Sequence, residues 1–249
     1  MPLISVVIPT YNSGQFIRKT LQSVINQTYG NWEILITDDC SQDNTVQVVR
    51  EIMQNEKRIK LFEQRENQGP ARARNIGIKH ARGKYIAFLD ADDSWLSEKL
   101  QIQTRFMEEQ GLGISFTDYY LLNEHSDSKK KFQSLLSEVN YTDIVRFNYI
   151  ACSTVMYNQD SLGKHFMPDI RNRQDWGLWI KLIKIAGTAV RISQPLTNYL
   201  LREDSISSNK LNLVKYHWYI YRRFLRFSLL KSLLYLSRNI FMHLKNRRK

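Results

Sequence analysis

No acidic residue follows Asp204, although residues 205–249 carry eleven lysines and arginines. The shortage is local, because residues 1–204 hold 25 basic against 24 acidic side chains, so nearly all of the formal charge of +12 belongs to a C-terminal module. Cysteine is scarce too. Cys40 and Cys152 alone cannot make a disulfide framework, and a reducing compartment is the default. The start, Met1-Pro2-Leu3-Ile4-Ser5, lacks the basic region and long apolar segment of a secretory signal. Nor is there an uninterrupted bilayer-length apolar run in the C-terminal segment, since Arg226, Lys231 and Arg238 break every such window, which argues against a transmembrane helix. Internal repeats are absent. With 43% hydrophobic and 24% charged residues over 249 positions, the chain has the means for one substantial core.

Residues 3–8, Leu-Ile-Ser-Val-Val-Ile, form a nearly continuous apolar run ended by Pro9, the pattern of a strand covered on both faces of a parallel sheet. Asn12 or Ser13 is placed to cap a helix reaching about Gln27, with Phe16, Leu21, Val24 and Ile25 on its apolar face. Residues 32–37 read as a second strand stopped by Asp38-Asp39. Asp43 or Asn44 then starts a helix, and a short strand follows at 59–62. Asn67-Gln68-Gly69-Pro70 is a turn into a helix over 71–81, with Pro70 at its first position, before a strand over 85–89. The order βαβαβαβ predicts an α/β sandwich with a mainly parallel sheet, in which ligands gather beyond the carboxyl ends of the strands. Tyr11, Asp38, Asp39 and the run Asp90-Ala91-Asp92-Asp93 all fall there. Further on, a helix near 97–110, a strand at 113–119, a solvent loop or mobile insertion over 123–133, a strand at 152–157 and a helix at 174–186 are expected.

Three carboxylates within four residues repel one another unless a positive charge is shared among them. A magnesium or manganese ion is one such charge, since both accept hard oxygen ligands from one or two carboxylates plus the phosphates of a substrate. The alternative is that Asp92 or Asp93 caps a helix starting near Trp95, with Ser94 and Ser97 as equal candidates. Asp38-Asp39 has two readings as well: an acceptor-only ligand group, or a turn and helix-start signal before Thr45. Asp175, followed by Trp176, Gly177, Leu178 and Trp179, reads either as a functional carboxylate or as a helix-initiating residue before core tryptophans.

Taken together, Val6-Val7-Ile8-Pro9-Thr10-Tyr11-Asn12, the segment from Asp38 to Asp43, the segment from Asn67 to Gly77, the segment from Tyr85 to Asp93 and Arg173-Gln174-Asp175-Trp176 resemble the inverting, nucleotide-sugar-dependent glycosyltransferases of family 2. The matching blocks keep the family's order over about residues 3–200. The resemblance implies the GT-A fold, a Rossmann-like α/β/α sandwich. It implies that Pro9, Thr10 and Tyr11 border the nucleotide base and that Asp39, in preference to Asp38, accepts a uracil N–H. Gly69 would permit the turn, Gly77 close packing, and Arg74 would lie near the nucleotide or its diphosphate. Asp90 and Ala91 would stand by the ribose, and Asp92 would hold Mn2+ or Mg2+ on the diphosphate, supported by Asp93. Asp175 would be the base that deprotonates the acceptor, beside Gln174 and Trp176; Gln174 stands where the family more often has Glu. The Gln-x-x-Arg-Trp block of processive relatives is missing, which favours transfer of a single sugar.

The expected division is a catalytic unit over 1–204, with its nucleotide part at about 1–95 and its acceptor side at 96–204, and a basic amphipathic helical tail over 205–249. That tail fits contact with an anionic membrane surface; packing back on the catalytic unit is the alternative. Nucleic acid would also answer to the charge, but no recognition motif accompanies it. The resulting expectation is a bacterial enzyme, cytoplasmic and peripheral on the inner face of the plasma membrane. It would move one sugar from a UDP-sugar to a glycan or lipid-linked acceptor with inversion, in cell-surface polysaccharide synthesis such as lipopolysaccharide or capsule. A non-catalytic nucleotide-sugar-binding or membrane-recruitment protein of the same fold is the alternative, and a nucleotidyltransferase is a third class.

Overall fold

The computed structural model describes residues 1–124, 126–202 and 210–246. The expected boundary at 204/205, the side chains of Lys210, Leu211, Leu244 and Lys245, and the last three basic residues lie outside the described residues. The first half alternates as β1 (Ile4–Thr10), α1 (Ile17–Ile25), β2 (Trp32–Asp38), α2 (Thr45–Asn55), β3 (Ile59–Glu63), α3 (Pro70–His80) and β4 (Tyr85–Phe88). These strands are parallel in the order β3-β2-β1-β4. Every residue of β1, β2 and β4 is buried, which is why their sequences are mostly apolar rather than alternating, with Glu33, Thr37 and Asp38 of β2 among the buried polar exceptions. Along β1, Ile4, Val6 and Ile8 meet the Leu21, Val24 and Val49 side, while Val7 meets Ala71 and Ile78 of α3. Gly77 makes that second contact close: a Cβ there would stand 2.6 Å from Val7 Cγ1.

Pro9 does not end β1, which runs on through Thr10. The Leu3 and Val7 carbonyls face β4, accepting from Tyr85 and Leu89, so the odd-numbered N–H positions point that way. Since β4 ends at Phe88, opposite Val7, no neighbouring strand needs the N–H that Pro9 lacks. The first helix also starts later than expected, at Ile17. Ser13 closes the preceding turn with its backbone carbonyl, whereas the Asn12 side chain crosses to accept from Gln42 N at 2.8 Å.

The second half contains β5 (Ser94–Trp95), α4 (Lys99–Gln110), β6 (Ile114–Asn123), β7 (Ser126–Phe132), β8 (Glu138–Asn140), α5 (Tyr141–Arg146), β9 (Met156–Asn158), α6 (Gln159–Leu162), α7 (Gln174–Ala186) and β10 (Thr188–Leu201). The sheet continues β4-β9-β6-β10-β5; β9 is antiparallel to both of its neighbours while β6 and β10 run parallel, so the whole is a mixed sheet whose uniformly parallel part is the N-terminal one. The result is the expected α/β/α sandwich. Two local expectations are corrected. Most of the segment expected to be a loop over 123–133 is β7, antiparallel to β6, with Phe132 stacked on Tyr119 at 4.7 Å. Its lysines are outward-facing residues of a strand, which composition cannot tell from a loop. Residues 152–154 are a 3-10 turn, and only 156–158 of the expected strand pair.

The C-terminal helices α8 (Lys210–Tyr219) and α9 (Leu229–Asn246), joined by a π-helical turn over 220–224, pack on the outside of α5 and α7. Ile220 and Tyr221 are wholly buried; the Tyr221 hydroxyl donates to Val145 O, and its ring meets Trp176 edge-on at 5.7 Å. Asn239 donates to Arg146 O at 3.0 Å. Among the described residues no helix is long and apolar enough to cross a membrane.

Candidate active site

A cavity of about 770 Å³ opens at the carboxyl ends of β1, β2 and β4. Pro9, Thr10, Tyr11, Asp39, Gly69, Arg74, Asp90, Ala91, Asp92, Gln174 and Asp175 all line it, so residues as far as 166 apart in sequence come together on one cavity. Asp38, Asp93 and Trp176 stand behind the wall. Trp176 is a core residue, wholly buried and donating its indole N–H to Ile144 O.

The two neighbouring aspartates have different tasks. Both oxygens of Asp38 are taken by Ser41, through its N–H at 2.9 Å and its hydroxyl at 2.5 Å. Ser41 Oγ in turn accepts from Asn12 N, so Asp38 fixes the loop that carries Tyr11. Asp39 lines the cavity with its carboxylate. Oδ1 accepts from Gln64 Nε2 at 2.7 Å and Gln68 N at 2.8 Å, and Oδ2 accepts from Gly69 N at 2.7 Å. An ionised carboxylate offers about four lone-pair sites, so one on Oδ2 remains for a ligand. Gly69 has φ of +89°, a left-handed conformation that a side chain would strain, and this turn aims its N–H at Asp39. Beside it, Tyr11 presents a ring that is 46% exposed, and the buried Thr10 Oγ1 has no partner among the described residues.

Arg74, on α3, is 5% exposed and pairs with Asp90 Oδ1 at 2.5 Å, while its Nε and Nη1 have no partner among the described residues. Burial alone would lower its pKa, but the neighbouring Asp90, Cys152 and Asp175 together more than offset this, so it stays charged. Asp92 has its carboxyl raised by burial and by Asp90, with Arg202 opposing. Arg202 Nη1 lies 3.3 Å from Asp92 Oδ2, and its guanidinium is stacked 4.5 Å above the Phe16 ring. Asp93 is pushed well above the usual carboxylate range by burial and by Asp90 and Asp92. It does not cap a helix: Ser94-Trp95 is a strand and α4 begins at Lys99. Instead Asp93 accepts from Ser153 Oγ and Leu200 N, tying the Asp90–Asp93 turn to β10.

The donor set here suits a hard divalent cation, being oxygen-only with Asp90 and Asp92 at the cavity wall. Among the described residues no group of three or more His, Cys, Asp or Glu is placed to hold a metal ion. A cation at Asp92 would therefore complete its shell from substrate phosphates and water, as magnesium and manganese readily do.

Asp175 is in the first turn of α7, where a helix N-terminus favours negative charge. Burial raises its carboxyl; Arg173, the Trp176 N–H and Arg74 oppose that rise. Asn148 Nδ2 approaches Asp175 Oδ2 at 3.4 Å. Arg173 reaches the site because its backbone turns left-handed, at φ of 64°, just before the helix. Sequence reasoning gave no role to Arg202, Asn148 or Arg173. Arg202 and Asp92 are 110 residues apart and no spacing rule links them; Arg173 alone carried a signal, by standing next to Gln174-Asp175.

Residues 5–166 match the model of glycosyl transferase family 2. The chain is 38% identical over 231 residues to TuaG of Bacillus subtilis, a glycosyltransferase named for teichuronic acid biosynthesis, covering 93% of this chain and 92% of that protein. It is 34% identical over 217 residues to WfgD of Escherichia coli, named as a UDP-Glc:alpha-D-GlcNAc-diphosphoundecaprenol beta-1,3-glucosyltransferase, covering 87% and 84% of the two chains. Among solved structures it is similar to S. aureus TarS residues 1–349 in complex with UDP-GlcNAc, at a TM-score of 0.75 and 24% identity over 95% of this chain and 70% of that one. The mannosyltransferase PcManGT of Pyrobaculum calidifontis, in complex with GDP-Man and Mn2+, shares the fold at a TM-score of 0.72 and 18% identity, over 94% and 70%. Carboxylates at the carboxyl ends of parallel strands, a family match over most of the chain and glycosyltransferase relatives along its length lead to one conclusion: this chain is a glycosyltransferase and belongs to glycosyl transferase family 2.

Proposed function

We propose that the chain transfers one sugar from a UDP-sugar to a hydroxyl of a glycan or lipid-linked acceptor, with inversion, at the cytoplasmic face of a bacterial plasma membrane. The observation that carries this reading is the layout of one cavity. Asp39 and Tyr11 belong to its β1–β2 side, Arg74, Asp90, Asp92 and Arg202 surround its floor, and Asp175 enters from α7. WfgD, by its name, uses UDP-Glc and a lipid diphosphate acceptor, which supports the same substrate classes here.

In this reading the uracil ring stacks on Tyr11 and its N–H donates to the open position of Asp39 Oδ2. Asp38 is a positioning residue, acting through Ser41. The diphosphate lies over the Arg74 and Arg202 side of the cavity, where fixed cations match the charge that grows as the glycosidic C–O bond breaks. A manganese or magnesium ion at Asp92, with Asp90 beside it, would supply further neutralisation of that leaving group. Asp175 accepts the proton of the acceptor hydroxyl; that oxygen bonds the anomeric carbon as the nucleoside diphosphate departs from the opposite face with the electron pair of the broken bond. An α-linked donor therefore yields a β-glycoside, in the manner of the general base in inverting glycosidases.

The test is a transfer assay over a panel of UDP-sugars with lipid-diphosphate and free glycan acceptors, with manganese or with chelator. Wild type should turn over one donor, and Asp92→Asn and Asp175→Asn should each lose most of that turnover. Equal turnover in all three proteins, or donor binding with no turnover across the whole acceptor panel, would overturn the proposal.

A further inference from the structure

Helix α9 carries two apolar faces, and the catalytic body covers only one. Ser232 and Asn239 are buried and Tyr235 leans on the Tyr221 ring at 5.6 Å, which fixes the inner face. On the outer side Leu229, Leu230, Leu233, Leu234, Ile240 and Phe241 are all exposed, Leu230 at 79% and Phe241 at 65%. At 3.6 residues per turn these six fall within one arc of about 140°. Lys231 and Arg238 follow along the edge of that arc, and Arg223 and Arg226 are exposed just before the helix. Ordinary surface helices do not keep so much apolar area in water.

Charge decides what covers it. With eleven basic and no acidic residues over 205–249, a second copy of the same face would bring like charges together. An anionic lipid surface satisfies both parts, taking apolar side chains into its acyl boundary and basic ones among its headgroups. We propose that α9 lies in the interface of an anionic bilayer with this ridge inserted.

The placement has a consequence for the active site. Arg146, Tyr149, Arg238 and Phe241 line a groove beside the ridge, and Tyr149 also lines the main cavity. The adjacent Asn148 reaches Asp175. A bilayer against α9 would therefore stand beside the groove that Arg146 and Arg238 line, on the side of the main cavity that holds Tyr149, Asn148 and Asp175. The proposal deepens the membrane-surface reading above, but its test requires no turnover, so the two can fail separately.

The experiment is flotation of the full chain with phosphatidylcholine vesicles, with and without phosphatidylglycerol. Wild type should float with the anionic vesicles and much less with neutral ones. The triple variant Leu230→Gln, Leu234→Gln, Phe241→Gln should lose about tenfold or more in partitioning, since each large apolar side chain withdrawn from water is worth at least about that factor. Its melting temperature and its stabilisation by UDP should match wild type, which separates loss of docking from loss of fold. Lys231→Glu with Arg238→Glu should remove the preference for anionic vesicles. Flotation that is undiminished in the triple variant, or absent in wild type, overturns the proposal. So does a dimer in sedimentation that the triple variant dissolves while no vesicle binding is seen.

Discussion

Asp39→Asn tests how the nucleotide end of the cavity is built. The carboxylate receives three hydrogen bonds, two from backbone amides, and is 3% exposed. An asparagine keeps the shape but replaces one oxygen with a donor. If the amide nitrogen faces Gly69, that N–H loses its acceptor. If it faces the other way, Gln64 can turn its own amide to receive it, but Gln68 N–H is left alone. Either orientation loses a charge-assisted hydrogen bond and leaves one buried backbone donor unsatisfied, together about 3 kcal/mol. For a chain of this size that corresponds to a fall in melting temperature of about 6–12 °C. The measurement is calorimetric unfolding without ligand, followed by titration with UDP. UDP affinity should drop as well, because the turn holding Gly69 is no longer pinned and the open acceptor position on Oδ2 is gone in the cheaper orientation. A melting temperature within about 2 °C of wild type, with UDP affinity unchanged, would refute both the hydrogen-bond assignment and the role given to this carboxylate.

Asp175→Asn should lower turnover by about 10²–10⁴-fold while leaving the donor dissociation constant within a factor of a few, as a lost general base does. Because burial raises the Asp175 carboxyl and its ionised form is the active one, kcat should fall with decreasing pH along a limb displaced above the usual carboxylate range; Arg173→Gln, which removes an opposing charge, should move that limb to higher pH in a pH–rate profile. Arg202→Ala deletes a cation that competes for Asp92, a partly exposed pair worth about 1 kcal/mol, so with UDP held at saturation, where the lost Arg202 contact to the diphosphate does not enter, manganese should bind about fivefold more tightly; unchanged or weaker binding would contradict that competition. Lys99 is wholly buried, with its amine pushed down to about 7 by burial. Below that pH it is charged in both folded and unfolded states and the folded state carries the full penalty; above it the unfolded chain binds more protons up to its own pKa, so stability rises with pH through that window. Lys99→Met should therefore stabilise the fold by roughly 5 kcal/mol at about pH 6, less ~1–2 kcal/mol for the Gln103 oxygen left without its donor. The gain should vanish by about pH 11, as followed by urea unfolding.

The inner strands of the parallel half, β1, β2 and β4, are legible because they are covered on both faces and so are mostly apolar. Helix α3 is legible from the Gly69 turn with Pro70 at its first position and from Arg82-Gly83 just past its end, whereas Gly77, inside the helix and close under Val7, serves packing. The second half was harder to read. β7 is an edge strand rich in exposed lysine, and β10, although 14 residues long, mixes polar and apolar residues without a strand's alternation and is interrupted by Pro195, so its sequence carries no clear strand signal. The strand that passes through Pro9 shows the same limit: a proline is tolerated where the neighbouring strand has already ended, and the sequence of β1 does not contain the length of β4.

At the site, the sequence by itself determined the chemistry available: carboxylates at the ends of apolar strands, an arginine on the helix before them and a carboxylate at the start of a tryptophan-rich helix. Those follow from local patterns, because burial and helix starts are properties of a few adjacent residues. Only the tertiary structure decided how the groups share the work. It turned Asp38 toward Ser41 and Asp39 toward the cavity, brought Arg202 across 110 residues onto Asp92, and set Asn148 against Asp175. It also decided that α9 would bury one apolar face and leave the other to the outside. Each of these depends on which distant surfaces come within a few ångströms, and hydrogen bonds and screened charges act only over that range.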